Sequence, residues 1–356
     1  MRKLDLYISK TILLAMLLVL LVLAGLDFLF TLFDEVAGVN ERYTMKDALT
    51  YVLLTFPRHI YDLLPITALM GSLIGLGVLA SSNELVVMQA AGIKAGRVVW
   101  SVMKPALLVM LAGILLGEYL APTLELRAEV NKSIANSDQI GLSTSGSWQR
   151  DGDDFVHFDA IEPQGVLHGV SIYRFNDAQE MTANITAERG RYENRNWVLE
   201  NVRQTFFSQA DGGIESQSQE FEELVWQTDL SPDVLQLMIM DSDKLTITAL
   251  YGYAQRFISQ GQDASAYLLA FWNKLLQPLA TAALVLVAIS FIFGPLREAT
   301  MGARVFTGIS FGLGFIILQR VFNTVGAVYQ FNPLLAALLP IILTALIGIL
   351  LLRKAA

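Results

Sequence analysis

The chain has 356 residues, of which 54% are hydrophobic and only 16% charged, with a mean hydropathy of +0.49. A typical soluble domain carries about 25% charged residues. Cysteine is absent, which excludes disulfides, thiolate metal sites and cysteine nucleophiles. The net charge of −8 is unevenly spread: residues 122–265 hold 10 basic and 23 acidic side chains, and the rest holds 15 and 10. An acidic segment therefore lies between basic, apolar ones, and no basic patch exists on which nucleic-acid binding could rest.

Six apolar stretches are long enough to cross a bilayer as helices. They run from Ile12 to Phe33, Ile60 to Ala80, Val98 to Leu120, Tyr267 to Phe293, Val305 to Val325 and Pro333 to Leu352. The first follows Met1-Arg2-Lys3 but lacks an A-x-A cleavage pattern, so it reads as a retained helix, not a cleaved signal. Short loops on one side hold ten lysines and arginines, among them Lys94, Arg97 and Arg353; those on the other hold three, Arg42, Lys46 and Arg58. The positive-inside rule places both termini in the cytoplasm and residues 122–265 outside. Ala48 to Phe56 is apolar but meets Pro57-Arg58, which predicts a separate interfacial helix.

The expected architecture is an α-helical membrane protein of six transmembrane helices with an inserted all-β domain outside the membrane, sandwich-like or jellyroll-like. Residues 1–121 hold helices one to three, 122–265 the β domain with a connecting helix, and 266–356 helices four to six. Predicted strands are Asp154 to Phe158, Gly169 to Phe175, Ile185 to Tyr192, Trp197 to Val202 and Glu220 to Trp226. Glu193-Asn194-Arg195-Asn196 and Asp211-Gly212-Gly213 read as tight turns between strands. Ser231-Pro232-Asp233 reads as a helix start, and a further helix is expected from Thr248 to Gln260, stopped by Gly261.

The most informative cytoplasmic stretch is residues 81–96, SSNELVVMQAAGIKAG. It predicts a short helix headed by Glu84 and stopped by Gly92. An apolar helix in a cytoplasmic loop wants a partner groove. The same residues also permit a plainer role: Ser81 and Glu84 fit a capping box, and the apolar face can lie on the membrane.

No ATPase is encoded, because GSLIGLG (71–77) and GISFGLG (308–314) lack the G-K-[ST] of a phosphate-binding loop; inside spans, such glycines let helices approach closely. Asp27 and Arg320 are the ionisable residues deepest in the spans, and such residues usually face a cavity or a partner. The histidines His59, His157 and His168 have no ligand-like spacing, so no metal site is expected.

NELVVMQAAG (83–92), SFIFGPLR (290–297), MGARVFTGISF (301–311), SQGQDA (259–264) and the opening Leu4-Asp5, Tyr7-Ile8 and Lys10-Thr11 carry more. On them the chain resembles the lipopolysaccharide-export permease family LptF/LptG over essentially its whole length, its LptG branch more than its LptF branch. The resemblance implies a non-catalytic permease that forms a heterodimer with an LptF-type subunit. Two LptB-type cytoplasmic ATPases would bind the loops between spans two and three, so ATP and Mg²⁺ belong to the partner and no cofactor to this chain. Lipopolysaccharide would leave the inner membrane and pass through β-jellyroll domains to LptC-type and LptA-type proteins. An LptC-type transmembrane helix would insert beside span one.

The resemblance assigns Glu84, Leu85, Met88 and Gly92 to ATPase coupling and Lys132 to lipid phosphates. Where LptG-type relatives often carry lysines near the outer end of span one, this chain has Asp34 and Glu35. Arg42, Lys46 and Lys132 are the candidates for the anionic head, with Asp27 and Arg320 along the lipid pathway. Two rivals remain at the level of sequence. A lipoprotein-extracting permease would have four spans with the outer domain after the first. A membrane-tethered periplasmic binding or scaffold protein would need no ATPase.

Overall fold

The structure is a computed structural model describing all residues except 1, 41, 94, 137–146, 152–153, 163–164, 177–179, 194–195, 211–212, 229, 233–234, 236–241, 260–262, 297–298, 330 and 356. The expected turn residues Asn194, Arg195, Asp211 and Gly212, together with Asp233, Gly261 and Arg297, lie outside the described residues. The described chain has six helices long and apolar enough to cross a membrane, and a seven-stranded antiparallel sheet inserted after the third.

The helices in chain order are α1 (Arg2–Ala37), α2 (Met45–Ser81), α3 (Glu84–Ala90), α4 (Ala95–Leu115) and α5 (Ala121–Asn136), then after the sheet α6 (Ile247–Ser259), α7 (Ser265–Phe293), α8 (Met301–Val328) and α9 (Pro333–Ala355). A π-helical turn, Leu116–Leu120, joins α4 to α5. The separate interfacial helix expected at Ala48 to Phe56 is not formed. Those residues belong to α2, which runs unbroken through Pro57 and Pro65. A proline removes one helical hydrogen bond, and inside a bundle that loss is offset by packing and by re-satisfaction of the freed carbonyl.

Two compact units form: one comprises Met1–Thr31, Thr55–Pro122 and Thr246–Ala356, the other Leu32–Leu54 and Thr123–Leu245. The core of the first is built from Ile12 and Met16 of α1, Leu69, Leu73 and Leu76 of α2, Val102 of α4 and Leu284 and Ile289 of α7. Glycines set the helix spacing, as the sequence suggests. A Cβ on Gly71 would stand 2.5 Å from Met16 Cγ, and one on Gly75 2.8 Å from Ile12 Cδ1.

In the second unit the sheet comprises β1 (Ser147–Asp151), β2 (Asp154–Phe158), β3 (Ala160–Glu162), β4 (Val166–Phe175), β5 (Met181–Glu193), β6 (Asn196–Ala210) and β7 (Gly213–Trp226). Its order is β1-β2-β4-β5-β6-β7, with β3 paired to β4. The five expected strands are present as β2, β4, β5, β6 and β7; β1 and β3 escape the sequence reading. Pairing of Glu193 with Asn196 and of Ala210 with Gly213 closes two hairpins.

Burial alternates along each strand, but the alternation slips at one level of the sheet. Leu167 is followed by Val170, Ala187 by Gly190 and Leu199 by Val202, a spacing of three instead of two. Gly169 (φ 60°) and Asn201 (φ 53°) lie in these gaps. Both adopt the left-handed conformation that glycine and asparagine tolerate best. The strands turn a corner there and keep one apolar face. Trp197 anchors that face, donating its indole N–H to the Leu230 carbonyl at 2.7 Å.

Ser231-Pro232 begins one helical turn, closed by the Leu235 amide on the Ser231 carbonyl at 3.1 Å. The connecting helix expected from Thr248 is α6. Thr246 Oγ1 accepts from the Ala249 amide, while Glu118 accepts from the Ile247 amide at 2.8 Å and from the Thr248 amide at 3.4 Å. Glu118 sits on the π-helical turn. Such a turn inserts one residue into a helix and re-aims the side chains after it. Here it aims a carboxylate at the positive end of α6, where the first amides have no helical acceptor.

Candidate functional site

The first candidate site is α3 and its supports, all in the first unit. Asn83 turns the chain with φ 61°, and α3 starts immediately after it. The expected Ser81 capping box does not form: Ser81 still belongs to α2 and its hydroxyl donates to the Val78 carbonyl. Glu84 instead accepts from Ser82 Oγ at 2.9 Å and from the Tyr7 phenol of α1 at 3.3 Å. At the other end the Gly92 amide donates to the Gln89 carbonyl and the Ile93 amide to Met88. This is a Schellman motif, and Gly92 (φ 84°) supplies its left-handed residue.

Two of the residues the resemblance assigns to coupling point inward. Leu85 and Met88 are buried in the unit's own core, where they anchor α3. Val86 and Val87 point outward, 41% and 66% exposed. They form the surface a partner could reach, and the sequence reading missed them because an all-apolar ELVVM run does not reveal which side is covered. Close by in sequence, Arg97 at the start of α4 donates to both oxygens of Asp5, at 2.9 and 3.0 Å.

Asp27, the deepest acid of α1, has His59 Nδ1 of α2 2.8 Å from its Oδ2, an ion pair when the imidazole is protonated. Arg320 lies exposed on α8. Nothing brings Arg320 and Asp27 together among the described contacts.

The second candidate site lies in the second unit, around Lys132 of α5. Its ammonium is 2.6 Å from Glu35 Oε1, at the end of α1. It also stands 4.3 Å from the ring centre of Tyr51 and 5.8 Å from that of Tyr43. The Tyr43 phenol donates to the same Glu35 oxygen at 2.6 Å. Burial first, and then this carboxylate, push Tyr43 far above the usual tyrosine range, so it remains a neutral donor. Tyr51 donates to Glu129 at 3.2 Å, and Lys244 bridges Glu129 and Glu125 at 3.0 and 3.3 Å.

A cavity of about 290 Å³ opens beside this group, lined in part by Tyr43, Asp47, Thr50, Tyr51, Asn131 and Lys132. Arg42 and Lys46 are exposed nearby in the chain; the Arg42 amide donates to Asn40 Oδ1, and Lys46 lies in the first turn of α2. A reciprocal pair of bonds between Thr44 and Asp47 caps that turn. The cluster thus places Lys132 next to a cavity, tethered by a carboxylate and two aromatic faces. The sequence reading singled out Lys132 and the acidity of Glu35, but the contact between residues so far apart in the chain left no local signal.

The comparisons with known proteins agree with the fold. A family model described as "Lipopolysaccharide export system permease LptF/LptG" matches residues 6–354. A lipopolysaccharide export system permease protein LptG of Escherichia coli K12 is 37% identical over 341 residues, covering 95% of this chain and 94% of the relative. The LptG of Haemophilus influenzae is 33% identical over 344 residues, covering 96% and 95%. With six apolar helices and an inserted antiparallel sheet, the chain is a multi-pass inner-membrane protein and belongs to the LptF/LptG family of lipopolysaccharide export permeases.

Proposed function

We propose that this chain is the permease subunit of an ATP-driven exporter that extracts lipopolysaccharide from the inner membrane and passes it to a periplasmic bridge. It pairs with an LptF-type permease, takes power from two LptB-type ATPases, and delivers lipid toward LptC-type and LptA-type proteins. ATP and Mg²⁺ reside on the ATPase. Both termini face the cytoplasm and the sheet faces the periplasm, a placement that rests on the lysine and arginine asymmetry of the short loops.

The observation that carries the coupling reading is the presentation of α3. A seven-residue helix exposes Val86 and Val87 while Leu85 and Met88 lock its other side into the core. Glu84 and Gly92 fix its two ends. A short rigid helix with an apolar outer face suits a groove on a cytoplasmic partner and passes that partner's motion to the spans it joins. Closure of the ATPases then moves α3, the spans pinch together, and the amphiphile is driven outward.

Lys132 is the group best placed to meet a lipid phosphate, because it is a cation beside a cavity. Arg42 and Lys46, both exposed, add charge near the start of α2. Asp27 and Arg320 line the path within the spans. Beyond the filled part of the sheet core, exposed Phe206 and Phe221 extend the same apolar face, which suits acyl chains better than phosphates. The test is Glu84→Ala in the assembled complex. Reduced ATPase retention or reduced lipid export supports the reading; intact assembly together with intact export would end it.

A further inference from the structure

Arg304 is 2% exposed and lies in the first turn of α8, near the positive end of that helix, where a cation is disfavoured. Something else must hold it there. Its Nη1 donates to the Gly77 carbonyl at 2.6 Å, and its Nε to the Leu296 carbonyl at 3.3 Å. Gly77 lies in the last turns of α2, and Leu296 just beyond the end of α7. One guanidinium therefore joins the carbonyl ends of two helices to the amide end of a third, and carbonyl ends are where a cation is favoured.

The fit is tight. A Cβ on Gly77 would stand 2.8 Å from Nη1 and 2.9 Å from Cδ of Arg304, so a larger residue there must push the Arg304 side chain aside. From Gly77 the chain reaches Glu84 and α3 within two helical turns. A displacement of α3 that enters α2 passes through this stretch first.

We propose that Arg304 is the positioning residue that carries the movement of α3 into span five, by locking the end of α2 to the end of α7 and the start of α8. This rests on the coupling reading of α3 given above. A lysine keeps the charge but not the fork that reaches two carbonyls at once. Loss of the side chain leaves the Gly77 and Leu296 carbonyls without this donor and lets α2 move without α8.

The test uses the full permease–ATPase complex in proteoliposomes, reading ATP hydrolysis and lipopolysaccharide release separately, with assembly checked by size-exclusion chromatography. For Arg304→Gln we expect hydrolysis within about twofold of wild type and release reduced about tenfold, a coupling loss of ordinary size. Arg304→Lys should fall between. If Arg304→Gln fails to assemble, Gly77→Ala carries the same expectation, since it displaces the guanidinium and keeps the charge. Assembled complexes that release lipid at the wild-type rate overturn the proposal. So does a parallel fall of hydrolysis and release, which marks a merely structural role. Glu84→Ala, run alongside, separates the two readings: if it alone is defective, only the Arg304 proposal fails, and if it too is normal, the coupling reading fails.

Discussion

Lys132 of α5 is held 2.6 Å from Glu35 at the end of α1, with the Tyr51 ring 4.3 Å from its ammonium. An anionic lipid head reaching this cation has to compete with a carboxylate built into the same chain. Glu35→Gln removes that competitor and keeps the Tyr43 contact. We expect it to raise lipopolysaccharide photocrosslinking from a probe at position 131 by a few-fold. Lys132→Ala should lower the same yield and cost about 1 kcal/mol or less in stability, because Lys132 is over one-third exposed.

Gly92→Ala puts a Cβ on a left-handed residue. Nothing lies within 4 Å of that Cβ, so the cost is conformational, about 1–2 kcal/mol. It should fray the end of α3 and reduce retention of the ATPase on affinity purification. Gly92→Asn should recover most of it, since asparagine tolerates this conformation.

Glu118→Ala removes the acceptor for the first amides of α6. The loss of a cap costs about 1 kcal/mol. Hydrogen exchange should quicken about fivefold at Ile247 and Thr248, as that free energy implies, with the strands β4 to β6 unaffected. Equal protection in wild type and variant would contradict the capping role.

Trp197→Phe keeps most of the apolar contact but strands the Leu230 carbonyl in the sheet core. About 1–3 kcal/mol should be lost. The check is the denaturant midpoint followed by near-ultraviolet circular dichroism of the full chain in detergent.

The six spans were legible because nothing but a bilayer calls for apolar runs of that length. Pro57 misled for the opposite reason: in an isolated sequence it reads as a helix stop, and only the surrounding bundle makes a continuous α2 possible. Strand positions followed from β-branched and aromatic runs, yet the corner at Gly169 and Asn201 did not, because alternation that slips by one residue looks like noise. The residues of α3 were found from their motif, and their facing was not: Leu85 and Met88 are chemically like Val86 and Val87, and only the packing of Ile8, Leu79 and their neighbours decides which pair is covered. The tie between Arg304 and Gly77 joins residues 227 apart in sequence, so no local pattern announces it.

The most direct measurement is site-specific photocrosslinking to lipopolysaccharide in the complete complex, from positions 27, 131 and 206, with and without ATP. Lipid adducts are expected at these positions, with yields at 27 and 131 that fall when ATP drives the lipid onward while adducts at 206 rise. No lipopolysaccharide adduct at any of the three, in a complex that hydrolyses ATP, would contradict the proposed pathway.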